Sequence, residues 1–131
     1  MKKKLLHQAL KIARSEHATH PEWQNYMHWT FIVQHNQLLE WGTNVEGDPP
    51  PGMGYHQRAK IHSELRAYRR GKGLLDRNAD WSIINVRLSR QGEIKISAPC
   101  ETCVSWLSAV GARKAAFTTP SGWASLKLDP S

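Results

Sequence analysis

Residues 81–119, WSIINVRLSRQGEIKISAPCETCVSWLSAVGARKAAFTT, hold the pattern that decides the fold. Trp81–Leu88 is strongly apolar, and a turn follows at Ser89–Gly92, so the first part predicts a buried strand. The stretch then predicts a short strand at Glu93–Ser97, a helix at Cys100–Val110 and a last strand at Lys114–Thr119 before a short tail. Strands that alternate with a helix in this way are typical of a layered α/β domain.

The same alternation extends upstream of this stretch. Apolar residues at helical spacing predict a first helix at Leu5–Ala18, and glycine ends a second predicted helix at Ile61–Gly71. Between them, Trp29–Gln34 and Leu38–Thr43 predict a β-hairpin. Prolines and glycines predict a long loop at Gly47–Gly54, a type of loop that often serves a functional site. The order α, β, β, α, β, α, β predicts helices packed on one sheet.

Length and composition limit the classes of protein that the chain can belong to. Its 131 residues suit a single domain over 1–131, and 40% hydrophobic residues with six tryptophans indicate a globular protein. The uncharged apolar runs are too short to cross a bilayer, which argues against a membrane partner. The N-terminal lysines begin like a secretory signal, but His7, Gln8 and Lys11 interrupt the apolar stretch that should follow. We therefore expect a cytoplasmic protein.

The formal net charge of +7 indicates a surface that attracts phosphate. The phosphate could belong to a nucleotide, a nucleic acid or an anionic membrane, and the charge could equally serve solubility alone. Composition by itself leaves these alternatives open.

Two short motifs carry the chemistry, and both precede or open predicted helices. The first is H-S-E at 62–64 and the second is P-C-E-T-C at 99–103. With only two cysteines and no export signal, C-x-x-C indicates metal or redox chemistry rather than a structural disulfide. Zinc prefers nitrogen and sulfur ligands in a tetrahedron, so His62, Cys100 and Cys103 would fill three positions and leave one for water. Glu64 could then act as a proton shuttle.

A second interpretation of the same residues stays open. His62 and Glu64 could be ordinary residues at a helix start, and the cysteines could form a redox pair. The redox interpretation gives His62 and Glu64 no task, which favours the zinc site.

In this order, the two motifs resemble the zinc-dependent cytidine and deoxycytidylate deaminase superfamily, whose signature is H-x-E…P-C-x-x-C. The resemblance runs from the first helix to Lys114–Thr119 and implies a three-layer α/β fold with a central mixed β-sheet flanked by helices. It implies Zn²⁺ held by His62, Cys100 and Cys103, with Glu64 as the catalytic acid and base. It also implies hydrolytic deamination of a cytosine-type base and assembly into a homo-oligomer.

The resemblance also suggests substrate contacts. The Ser63 backbone would lie against the reacting base, and we expect Pro99 of the second motif near the substrate. Asn44 matches a position that often contacts the sugar or base, although a turn asparagine is an equal alternative. Arg58, in the loop before the first motif, is a candidate phosphate ligand, and simple solubility is again the alternative.

Two departures limit the resemblance. The chain ends soon after Lys114–Thr119, so the superfamily's fifth strand and final helix are expected to be short or absent. The insertion at 89–97 is unusual in the best-known members. We therefore expect a cytosine nucleoside or nucleotide as substrate, with two alternatives. One is a deaminase of single-stranded DNA or RNA, and the other is a non-catalytic, zinc-stabilised binding module, against which the intact Glu64 argues.

Overall fold

The computed structural model describes residues 1–19, 26–44 and 62–128, so the predicted loop at Gly47–Gly54, Arg58 and Ile61 lie outside the described residues. Its elements are α1 (Lys3–Thr19), β1 (Tyr26–Gln34), β2 (Gln37–Thr43), α2 (Ser63–Gly71), β3 (Trp81–Ser89), β4 (Ile94–Lys95), α3 (Glu101–Ala109), β5 (Ala112–Thr119) and β6 (Gly122–Lys127). A single 3₁₀ turn, Lys72–Leu74, extends α2. No helix in the described part of the chain has the length and apolar character that a membrane span requires.

One mixed sheet organises the chain, as the sequence predicted. Its order is β2-β1-β3-β5-β6, and β4 pairs with the end of β3. All neighbouring strands are antiparallel except β3 and β5, which are parallel. Parallel neighbours need a crossover connection, and α3 supplies it. The N-terminus of α3, which carries the two cysteines, is therefore held at the end of β3.

The helices cover both faces of the sheet, which confirms the predicted three layers. On one face, α1 buries Leu5, Ala9 and Ala13 against a core that includes Trp29 and Phe31. On the other face, α2 and α3 pack against a second core, with contributions from Ala67, Cys103 and Leu107. Because β3 is covered on both faces, its side chains are nearly all buried instead of alternating with polar ones.

The prediction that Lys114–Thr119 is the last strand is wrong. A turn at Gly122, whose φ of 140° favours glycine, leads into β6, which pairs antiparallel with β5. This edge strand is largely exposed, so its sequence has no buried apolar pattern to predict it. The strand predicted at Glu93–Ser97 is also shorter, because β4 covers only Ile94–Lys95 and the Ser97 hydroxyl donates instead to the Asn85 carbonyl at 2.9 Å.

A close approach fixes α2 on the sheet. A Cβ built on Gly42 of β2 would lie 2.7 Å from the backbone nitrogen of Ala67, so only glycine lets the helix backbone come this near. The contact sets the distance between the backbones of α2 and β2. It thereby positions the N-terminus of α2, where the first motif lies.

Candidate active site

The first and second motifs meet at the N-termini of α2 and α3. His62 is the N-cap of α2 and Cys100 is the N-cap of α3, both with extended backbone. The Nδ1 atom of His62 lies 3.3 Å from Sγ of Cys103 and 3.8 Å from Sγ of Cys100. The three predicted metal ligands therefore converge, with all ligand atoms within 4.8 Å of one another.

The environment of Cys100 favours the thiolate, the form that binds metal. Hydrogen bonds, first from the Cys103 thiol and then from His62, lower the pKa of the Cys100 thiol to about 4. The backbone N–H of Cys103 also donates to Sγ of Cys100 at 3.4 Å, which is the usual N-cap contact. Cys103 is buried beneath, whereas Cys100 is exposed at the surface.

Glu64 lies in the first turn of α2 with only 4% of its surface exposed. Its Oε2 atom accepts a hydrogen bond from Nδ2 of Asn85 at 3.1 Å, and Oε1 accepts one from the Ser63 hydroxyl at 3.2 Å. Burial raises the pKa of Glu64, while the bond from Asn85 and the nearby His62 partly oppose that rise. A carboxyl group with a raised pKa takes up a proton more readily than an ordinary carboxylate, which suits a group that must hold and then release one.

A buried polar network supports Glu64 from below. The Thr30 hydroxyl donates to Oδ1 of Asn85 at 2.6 Å and contacts the Ser63 hydroxyl at 2.8 Å. Asn85 also donates to the carbonyl of Ser97 at 3.0 Å. Thr30 and Asn85 are opposite each other on β1 and β3, so the sheet itself holds the network in place. Buried polar groups that are satisfied in this way fix side-chain orientation.

A cavity of about 180 Å³ opens over these groups. Larger grooves exist elsewhere on the described surface, but this cavity is the one that includes the predicted ligands. It is lined by His28, Asn44, His62, Ser63, Glu64, Arg87, Ala98 and Cys100. Two of the three predicted ligands, the predicted proton shuttle and two predicted substrate contacts thus share one small cavity that suits a single ring.

The other predicted substrate contacts are Asn44, Pro99 and Arg58, and of these only Asn44 is among the described residues that line the cavity. Asn44 lines the cavity and also closes the β1–β2 pairing, because Oδ1 accepts from the His28 backbone N–H at 2.9 Å and the Asn44 N–H donates to the His28 carbonyl at 3.2 Å. Both roles suggested by the sequence are therefore compatible. Pro99 precedes Cys100 but is not among the residues that line the cavity. Arg58 lies outside the described residues.

Sequence reasoning missed three residues of this site, namely His28, Asn85 and Arg87. His28 and Arg87 are opposite each other on β1 and β3. They lie two residues from the pair Thr30 and Asn85, on the same face of the sheet. Arg87 is half-buried, and its Nη1 atom donates to the carbonyl of Ile96 at 3.4 Å. A signal was available, because Asn85 and Arg87 are polar residues at alternate positions within the apolar stretch 83–88 of β3.

Comparison with solved structures identifies the fold. A dCMP deaminase from the cyanophage S-TIM5, solved in complex with dCMP and dUMP, superposes with a TM-score of 0.55 at 15% identity, over 89% of this chain and 82% of that chain. A cytidine deaminase from Mycobacterium leprae gives the same TM-score at 17% identity, over 88% of each chain. No family model and no curated protein sequence matches the chain. The chain has the α/β fold of the cytidine and deoxycytidylate deaminases.

Proposed function

We propose that this protein is a zinc-dependent hydrolytic deaminase that converts a cytosine-type base to uracil in a nucleoside or nucleotide. One observation carries the proposal: the buried carboxylate of Glu64 shares a ring-sized cavity with the convergent side chains of His62 and Cys100. The deaminase fold is consistent with it.

The donor set fits zinc. A tetrahedral ion with bonds of 2.0–2.3 Å separates a nitrogen from a sulfur ligand by about 3.6 Å. The separations of 3.3 and 3.8 Å in this protein bracket that value. One imidazole and two thiols are soft ligands that select zinc over magnesium or calcium. Because the described residues offer three ligands here, the fourth position suits a catalytic rather than a structural ion.

Zinc bound at this site would supply a Lewis acid that lowers the pKa of water to about 7. Glu64 accepts a proton as the water oxygen adds to C4 of the pyrimidine. That proton passes to the ring nitrogen N3, and the same carboxyl group then moves the remaining hydroxyl proton to the exocyclic amine, which leaves as ammonia when the C4–N bond breaks. Asn85 and Ser63 hold the carboxyl group in place during both transfers. The raised pKa of Glu64 suits a group that must work in both directions.

Two basic residues that line the cavity, His28 and Arg87, favour a nucleotide over a free nucleoside as the substrate. His28 and Arg87 line the cavity and lie two positions from Thr30 and Asn85 on their strands, which is a backbone spacing of about 7 Å. Because the Arg87 side chain lines the cavity, its guanidinium group could bind a phosphate. Arg58 remains a second candidate for the same task. The homo-oligomer implied by the resemblance stays a prediction.

An ammonia-release assay tests the proposal. Zinc-loaded protein is incubated with cytidine, deoxycytidine, their monophosphates and cytosine-containing single-stranded oligonucleotides. We expect release from a monomeric compound, with the monophosphates preferred. Activity confined to oligonucleotides, with steep loss in salt, would replace the proposed substrate with a polynucleotide. No release from any compound by protein that carries zinc would favour a non-catalytic binding module.

A further inference from the structure

A basic groove lies on the face of the sheet opposite the candidate active site, between α1 and the turn that joins β1 to β2. Lys2, Lys4 and Lys11 line it from the α1 segment, and Gln37, Leu38 and Trp41 line it from β2. Its volume of about 790 Å³ is within the range of small-molecule binding sites. We propose that the basic groove binds single-stranded nucleic acid, independently of the proposed deamination.

Charge is the first argument for this ligand. The three lysines are exposed, and none of the residues that line the basic groove within the described ranges is acidic. Glu16 is the one carboxylate in α1, and both of its oxygens accept indole N–H bonds, from Trp29 at 2.9 Å and from Trp41 at 3.0 Å. The groove therefore presents three ammonium groups to a polyanion.

Trp41 is the second argument. Its ring packs on Phe31 with centroids 5.7 Å apart, and the bond to Glu16 fixes its N–H edge. A ring that is already immobile loses little entropy when a base stacks on it. An aromatic platform among cations is the arrangement by which proteins hold single strands without reading their sequence.

A membrane surface is a poorer fit to the same charges. A basic helix binds lipid by inserting its apolar face into the bilayer. In α1 the apolar residues already pack on the core of this protein, where Leu5, Ala9 and Ala13 are buried and Leu6, Leu10 and Ile12 are partly buried. Little apolar surface of α1 is therefore left to insert, and its exposed residues are mainly charged and polar.

Binding is tested with fluorescein-labelled oligothymidylate of about 15 nucleotides, by anisotropy over a range of salt concentrations. Thymine has no exocyclic amine, so the result does not depend on the proposed deamination. The test variant carries Lys2→Gln, Lys4→Gln and Lys11→Gln, and the control carries Arg69→Gln, Lys72→Gln and Arg77→Gln. Both triples remove three exposed positive charges.

We expect the groove triple to bind at least tenfold more weakly than the wild type at low salt. Its log–log salt slope should be shallower by about two, because three phosphate contacts are lost. The control triple should stay within about threefold of the wild type, and ammonia release from a mononucleotide should be unchanged in the groove triple. Equal losses in both triples, or no binding by the wild type, would overturn the proposal.

Two further probes separate nucleic acid from other polyanions. An abasic oligomer with the same number of phosphates should bind at least about fivefold more weakly than oligothymidylate, since it has no bases to stack on Trp41. Phosphatidylserine vesicles should bind the wild type and the groove triple equally poorly. Equal affinity for the abasic oligomer, or vesicle binding that the groove triple abolishes, would show that the groove recognises charge alone.

Discussion

The side-chain amide of Asn85 donates a hydrogen bond to Oε2 of Glu64 at 3.1 Å, from the central strand of the sheet to the first turn of α2. Both residues are buried, so water cannot substitute for the bond. The amide aims the carboxylate and stabilises its ionised form, which partly offsets the rise in pKa that burial causes. The proposed proton shuttle therefore depends on a residue outside the two sequence motifs.

Replacing Asn85 with aspartate tests this dependence. Asn85→Asp keeps the shape but exchanges the donor for a second carboxyl group, which raises the pKa of Glu64 further. Because the ionised form of Glu64 accepts the proton, the acid limb of the pH–rate profile should move to higher pH. Asn78→Asp, the same exchange at an exposed position that does not line the cavity, is the control and should leave the limb in place. An unshifted limb in Asn85→Asp would remove Asn85 from the mechanism.

Loss of a ligand should abolish zinc binding. Elemental analysis of purified wild type is expected to give about one zinc per chain, and His62→Ala or Cys103→Ser should give close to none. His35→Ala removes an exposed histidine far from the cluster and should retain the metal. If the ligand variants kept the full zinc content, the ion would be bound elsewhere.

The close contact of α2 with β2 predicts a stability difference between two glycines. Gly42→Ala forces a methyl group against the α2 backbone and should lower the free energy of unfolding by about 1–3 kcal/mol. A methyl group on Gly73 meets nothing within 4 Å, so Gly73→Ala should be neutral or slightly stabilising. Chemical denaturation measures both. Equal stability of the two variants would mean that α2 tolerates a shift on the sheet.

The position of Arg87 in the cavity predicts that its substitution lowers activity on a nucleotide but not on a nucleoside. If Arg87 binds the phosphate of a nucleotide, Arg87→Gln should lower kcat/KM for the monophosphate by about 10- to 100-fold, the worth of one charged hydrogen bond. The value for the nucleoside should change little. Arg90→Gln, in the exposed turn after β3, serves as the control. Equal losses for nucleotide and nucleoside would assign Arg87 a structural role instead.

Local patterns predicted helices packed on one sheet, and the resemblance that the two motifs carry implied the three layers, the mixed sheet and a shared site for His62, Cys100 and Cys103. Sequence reasoning missed β6, since an exposed edge strand has no buried face to set a period. It also missed the hydrogen bond from Asn85 to Glu64 and the pairing of His28 opposite Arg87. Those contacts depend on the register between β1 and β3, which are distant in sequence, and no local pattern encodes that register.

The rate of ammonia release by Glu64→Gln tests the central claim most directly. Glutamine keeps the size of the side chain but cannot accept and return a proton, so kcat should fall by about 10²–10⁴-fold while the zinc content stays at the wild-type level. Glu101→Gln, an exposed first-turn residue next to Cys100, should keep near-normal activity. A Glu64→Gln protein that carries zinc and releases ammonia at the wild-type rate would contradict the account.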